Sequence, residues 1–152
     1  MPILTGLVED AALPPESYDA ITLWDSIEHI RQPLAVLREM GRLLKPGGVL
    51  GLSTPNIRSL LYRLLGRHCW FLGPQEHIYY YDRQLLRRVL APLGFVVVKS
   101  FTNGIHTIGL PSRELAPFPR RELVQLLSRR PFHKLVARSG WGDELFLYAR
   151  KR

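Results

Sequence analysis

Two short apolar runs, joined by one sharply punctuated amphipathic stretch, constrain this chain more than any other feature. Residues 18–24, Tyr-Asp-Ala-Ile-Thr-Leu-Trp, are apolar and partly β-branched, follow Pro14-Pro15 and precede polar residues, which is the pattern of a buried strand. Between residues 33 and 45, Leu34, Leu37, Met40 and Leu44 fall at helical spacing. Pro33 suits the first turn of that helix, and Pro46-Gly47-Gly48 ends it, because proline cannot continue a helix and glycine accepts a left-handed cap. Residues 49–54, Val-Leu-Gly-Leu-Ser-Thr, are again apolar and of strand length. A strand, a helix and a strand in such close succession form a crossover unit whose two strands lie parallel, so the expected fold class is α/β.

The same punctuation recurs downstream. Residues 57–65 read as a short amphipathic helix with Leu60, Leu61, Leu64 and Leu65 on one face and Gly66 at its end, placed to cover a site rather than the sheet. Asp82 is suited to cap a helix carrying Leu85, Leu86, Val89 and Leu90, Gly94 lies just past its end, and residues 95–101 form the next strand. Residues 120–138 are helical in pattern with a break at Pro131, and residues 144–149 form a last strand after the Gly140-Trp141-Gly142 turn. The expected organisation is a single domain over 1–152, with 103–143 as a variable insert before the last strand.

Composition narrows the function classes. The chain has 152 residues, 46% of them hydrophobic and 22% charged, which is a globular balance. Its one cysteine, Cys69, excludes an internal disulfide and is expected to be a small buried hydrophobe. A net charge of +8 invites a nucleic-acid reading, but the arginines sit at helix-surface spacing without interleaved stacking residues, which favours a solvated basic face. There is no basic leader ahead of an apolar stretch and no apolar run of spanning length, so a soluble, cytoplasmic protein is expected. His68, His106 and His133 have no context that suggests a role.

Three segments in order, LVEDAALPPESYDAITLWDSIEHI, RLLKPGGVLGLSTPN and QEHIYYYDRQLLRRVLAPLGFVVV, resemble the later part of a class I S-adenosylmethionine-dependent methyltransferase. They are most similar to the group related to ubiquinone-pathway O-methyltransferases. The resemblance implies a Rossmann-like sheet, mostly parallel with an antiparallel last strand and helices on both faces. Residues 18–24, 49–54, 95–101 and 144–149 would then be its fourth to seventh strands. The family's glycine-rich loop after the first strand and its ribose-binding acid have no counterpart, so the domain is expected to be incomplete at its N-terminal side. An exposed edge at the fourth strand would invite self-association or a partner chain. The implied activity is methyl transfer from S-adenosylmethionine to oxygen or carbon of a small-molecule acceptor. The alternative is a non-catalytic relative that serves as a subunit or binding module.

The resemblance also places site residues. Asp10, with Glu9 as the alternative, and Ala11 match the acidic segment that contacts adenine, and Trp24 matches an apolar wall of the cofactor site, although it reads equally as a core aromatic. Glu28 and His29 lie just beyond a strand's carboxyl end, where open α/β sheets place their ligands, and His29 is the candidate base. Asp25, Glu28 and His29 match a pattern associated with a divalent metal, with magnesium as the candidate ion. The other reading of Glu28 and His29 is structural, as the end of a loop before a helix. His77 falls near the implied acceptor pocket as a further catalytic candidate, with Tyr79, Tyr80 and Tyr81 as its aromatic lining. For a lone imidazole beside three tyrosines, a hydrogen-bonded surface group is the other reading.

Overall fold

The punctuation noted above is realised in the computed structural model, which describes residues 3–66, 69, 76–105, 121–127 and 129–152. Four strands, β1 (Tyr18–Leu23), β2 (Leu44–Pro55), β3 (Phe95–Thr102) and β4 (Glu144–Lys151), form one sheet in the order β1-β2-β4-β3. β1 pairs parallel with β2, and β4 runs antiparallel to both β2 and β3. Three strands therefore point one way and the last is inserted against them, as the resemblance implied. Within the sheet, Ile21, Leu50 and Ala149 share a row across three strands, as do Leu23, Leu52 and Leu147.

Helix α1 (Pro33–Leu43) starts at Pro33 as expected but stops before Leu44, two residues earlier than the sequence pattern suggests. The backbone passes directly into β2, and Pro46-Gly47-Gly48 forms an irregularity inside that strand rather than a separate turn. Gly47 takes φ +78° there, a conformation that costs a side-chain-bearing residue energy. Helix α2 (Leu60–Leu65) begins at Ser59, whose hydroxyl accepts from the Tyr62 N–H at 3.1 Å. Helix α3 (Arg83–Leu90) is capped by Asp82, which accepts from the Leu85 N–H at 2.7 Å. The pattern broken at Pro131 resolves into two helices, α4 (Arg121–Leu127) and α5 (Arg130–Ser139), with the proline in the first turn of the second.

The core sits on one side of the sheet. Leu50, Leu52, Leu145, Leu147 and Ala149 pack with Val36, Leu37 and Met40 of α1 and with Leu86 and Leu90 of α3. A smaller cluster of Leu61, Leu65, Cys69, Ile105 and Val136 joins α2 to α5, and Cys69 is buried there as its size suggests. Gly142, before β4, lies so close to the Asn103 backbone that a Cβ would collide with it. The opposite side of the sheet is different. Trp24 contacts the rings of Phe146 and Tyr148, and Phe101 stacks on Phe146 with centroids 5.1 Å apart, yet Trp24 and Phe101 remain 45% and 39% exposed. No helix among the described residues is long and apolar enough to cross a membrane. His68, His106 and most of the 103–143 stretch's first half lie outside the described residues.

Candidate functional site

The site forms where β1 and β2 end. After Leu23 the chain turns through Asp25, a non-glycine residue at φ +44°, into a 3-10 turn over Ile27–His29. Asp25 is fixed from both ends: its N–H donates to the Ser53 hydroxyl at 2.9 Å, and that hydroxyl donates to Asp25 Oδ1 at 2.9 Å. Ile27, fully buried, anchors the turn in the core, and this draws Glu28 inward until it is 1% exposed. Glu28 Oε2 accepts from the Thr54 hydroxyl at 3.0 Å, while Oε1 is buried without a hydrogen-bond partner among the described residues. Such an orphaned carboxylate oxygen is costly unless something supplies it with a proton or a cation.

A second segment is stitched to this turn through its backbone. The Glu28 carbonyl accepts from the N–H groups of Ile78 and Tyr79 at 2.8 and 3.2 Å, and the Tyr79 hydroxyl donates to the Arg31 carbonyl at 3.2 Å. Tyr81 bridges to Asn56 at the end of β2. This docking carries His77 beside His29, with ring centroids 4.8 Å apart. His29 Nδ1 lies 2.8 Å from the Glu76 carbonyl oxygen, which can only accept, so Nδ1 carries a hydrogen, and the neutral ring is the tautomer with its lone pair on Nε2. Ligand atoms of Glu28, His29 and His77 all lie within 4.8 Å of one another. Asp25 is not part of that group; Ser53 holds it instead. Burial, then the nearby Tyr79 and Glu28, pushes the Tyr81 hydroxyl up to about 12, so it stays neutral across the physiological range.

The comparisons follow this geometry. A family model for the methyltransferase domain matches residues 5–100, which is more than half of the chain. The chain belongs to the methyltransferase domain family. Among curated proteins, the ubiquinone biosynthesis O-methyltransferase of Xanthomonas campestris pv. campestris (strain B100) is 54% identical over 50 residues, 32% of this chain. That match spans about a fifth of the relative's length, 21%. Among solved structures, an S-adenosylmethionine-dependent methyltransferase of Thermotoga maritima superposes with a TM-score of 0.66 at 19% identity, covering 98% of this chain and 63% of that one. A second, from Archaeoglobus fulgidus, gives a TM-score of 0.63 at 16% identity, covering 97% of this chain and 66% of that one. The fold of this methyltransferase domain is thus shared along nearly its whole length.

The other residues singled out from the sequence are spread around this centre. Asp10 belongs to a 3-10 turn over Val8–Asp10 and, with Glu9, lines the same groove of about 790 Å³ as Leu23, His29 and Gln32. Ala11 lines a smaller recess of about 290 Å³ with Asp10. Trp24 is not in that groove. Its ring lies over Gly51, 3.2 Å from where a Cβ would be, on the sheet face away from α1. Thr54, Ser53 and the Glu76 carbonyl are parts of the site that sequence reasoning missed. Polar residues ending an apolar strand were the available signal for the first two.

Proposed function

We propose that this domain takes part in S-adenosylmethionine-dependent methyl transfer to an oxygen or carbon of a small-molecule acceptor, with Glu28, His29 and His77 at the acceptor end. The observation that carries this reading is the convergence of those three side chains at the strands' carboxyl ends, with His29 held in the tautomer that leaves Nε2 basic. His29 is the group that takes the proton from an acceptor hydroxyl as the new oxygen–methyl bond forms. Glu28, tied to Thr54, fixes the turn and sets its carboxyl group beside the imidazolium that results. His77 closes the other side and orients the acceptor, and Tyr79 and Tyr80 offer an aromatic lining.

The cofactor, when bound, supplies an electrophilic sulfonium methyl group. The residues present fit one end of it: Asp10, beside Ala11, would accept from the adenine amino group, and Asp10 shares a groove with His29. Trp24 would have to reach it from the other sheet face. The chain's sequence has no glycine-rich loop or ribose-binding acid at the matching places, so affinity of this chain alone is expected in the millimolar range.

A divalent cation also fits. The orphaned Glu28 Oε1, with the two imidazoles, offers one oxygen and two nitrogen donors, a set suited to zinc, manganese or iron more than to magnesium, which prefers oxygen. Glu28, His29 and His77 would hold it, with His29 Nε2 then a ligand in place of a base, and the ion would supply Lewis-acid charge stabilisation of the acceptor oxygen. Asp25, held by Ser53, stands outside this set.

The test is transfer of a labelled methyl group at millimolar S-adenosylmethionine to a panel of small phenols, by the wild type and by His29→Ala. A fall in rate of about 10²–10⁴ for the variant supports His29 as base. An unchanged rate returns His29 to a structural role, and no transfer by the wild type rejects catalysis by this chain alone. The non-catalytic reading, a subunit that joins a partner through the outer edge of β1, is favoured by that edge having no strand beside it among the described residues.

A further inference from the structure

A groove of about 480 Å³ lies between α1 and α3, on the covered side of the sheet, and no step of the proposed reaction uses it. Its lining runs from position 31 to position 89, inside the crossover units that the family match spans. Helical spacing builds the floor. Leu34 and Ala35 lie four and three residues before Arg38 and share one face of α1 with it, while Leu85 and Val89 are one turn apart on α3. Leu85 and Val89 rest on the core with one side and stay half-buried, and Leu34 is 45% exposed. Tyr79 and Tyr81, with rings 6.3 Å apart, form the end wall. Tyr79 is held twice, by its N–H on the Glu28 carbonyl and by its hydroxyl on the Arg31 carbonyl. The groove is therefore preformed, which spares a ligand the cost of ordering its walls.

Charge and size decide the occupant. No acid lines the groove, and Arg31 and Arg38 on its rim are in no ion pair among the described residues. The acids closest to it along the two helices are engaged elsewhere, Glu39 by Arg42 and Asp82 by Arg58. Helix α3 itself carries three arginines and no acid. An anion is thus drawn in and a cation opposed. Arg31 also borders the groove of Asp10, whereas of the two grooves Arg38 borders this one alone. Below the guanidinium groups the lining is aliphatic and aromatic, so the anion needs an apolar body. From Pro33 to Arg38 the helix rises about 7.5 Å, which suits one short alkyl chain and is less than two turns of a partner helix. The volume falls within the range of small-molecule sites, about 300–1,000 Å³.

We infer that the groove between α1 and α3 is a binding site for a small anionic amphiphile, a single-chain phosphate or carboxylate whose head meets Arg38 and Arg31 and whose chain lies on Leu34, Leu85 and Val89 against the Tyr79 ring. Apart from Tyr79 it shares no residue with the proposed acceptor end, so it stands whether or not methyl transfer does.

The probe is octyl phosphate, kept below its micellar concentration and titrated calorimetrically against the full chain, with butyl phosphate and octyltrimethylammonium as comparisons. Each methylene that leaves water is worth about fourfold in affinity when fully buried, so in a groove open on one side octyl phosphate is expected to bind at least tenfold more tightly than butyl phosphate. It should exceed the octyl cation by at least tenfold as well, with that gap closing as salt rises. Octanoate is run beside it; tighter binding of either head supports the site and tells a carboxylate source from a phosphate one. Arg38→Glu, a change on an exposed side chain, should weaken the anion at least tenfold, with the fold checked by circular dichroism. In the wild type, amide resonances of residues 34–38 and 85–89 should shift on titration. Equal affinity for the octyl and butyl phosphates, no preference over the octyl cation, or no binding of either octyl anion would overturn the inference. So would affinity unchanged in Arg38→Glu, or shifts confined to the surroundings of Glu28, His29 and His77.

Discussion

The two faces of one sheet have been finished to different degrees. On the α1 and α3 side, the residues that cover the strands lie within the same crossover units as the strands themselves, and Leu50, Leu52, Leu145 and Leu147 are buried to 1% exposure or less. On the other side, Trp24, Phe101, Phe146 and Tyr148 form a cluster of rings of which Trp24 and Phe101 stay 45% and 39% exposed. The difference teaches that a βα unit carries its own cover for one face only. The second face depends on polypeptide that is distant in sequence, and here the described residues do not supply it.

That contrast can be broken by measurement. Replacing a covered residue should cost most: Leu147→Ala, fully buried in the core on the central strand β4, is expected to lose about 2–5 kcal/mol in urea unfolding. Gly142→Ala bears on both faces at once, because it sits at the entry to β4; a Cβ there meets the Asn103 backbone, and a loss of about 1–3 kcal/mol or more is expected by the same assay. The cover itself is probed through Asp82. Burial alone pushes its carboxyl up, but the Leu85 N–H and the Arg58 guanidinium outweigh this and hold it below the usual carboxylate range. A depressed folded value means a contribution fully present above an unfolded value near ~4 and lost as pH falls through the folded one. Asp82→Ala should therefore cost about 0.5–2 kcal/mol at neutral pH, and the difference from wild type should vanish as the solution is acidified. The smallest effect belongs to the open face: Phe101→Ala should cost about 0.5–1.5 kcal/mol, the worth of its stacking on Phe146. If Phe101→Ala proved as damaging as Leu147→Ala, the two faces would not differ as described.

Local rules made most of the strands and helices legible. Asp82 caps as its type demands, Pro131 opens a helix where a break was read, and β1, β3 and β4 fall within two residues of the expected runs. What failed was the exit from α1. Leu44 satisfies helical spacing as well as it satisfies the sheet, and pairing with Tyr18 across β1 decided between them. The bareness of the second face was also illegible, because Phe95-Val-Val-Val reads as a strand covered on both sides. At the site, Glu28 and His29 were readable from their place after a strand. That His77 and not Asp25 joins them was not readable, since it follows from hydrogen bonds across 50 and 51 residues of sequence, between the Glu28 carbonyl and the N–H groups of Ile78 and Tyr79.

Those two hydrogen bonds have a thermodynamic consequence. They make the meeting of His29 with His77 a property of the native state alone, since an unfolded chain has no reason to hold the two imidazoles and Glu28 together. Any ligand that engages all three groups must therefore draw the folding equilibrium with it, by an amount set by its concentration relative to its dissociation constant: about 2.7 kcal/mol at a hundredfold excess. For a domain with one open face, occupancy of a site at one end of the sheet and integrity of the sheet as a whole become linked quantities.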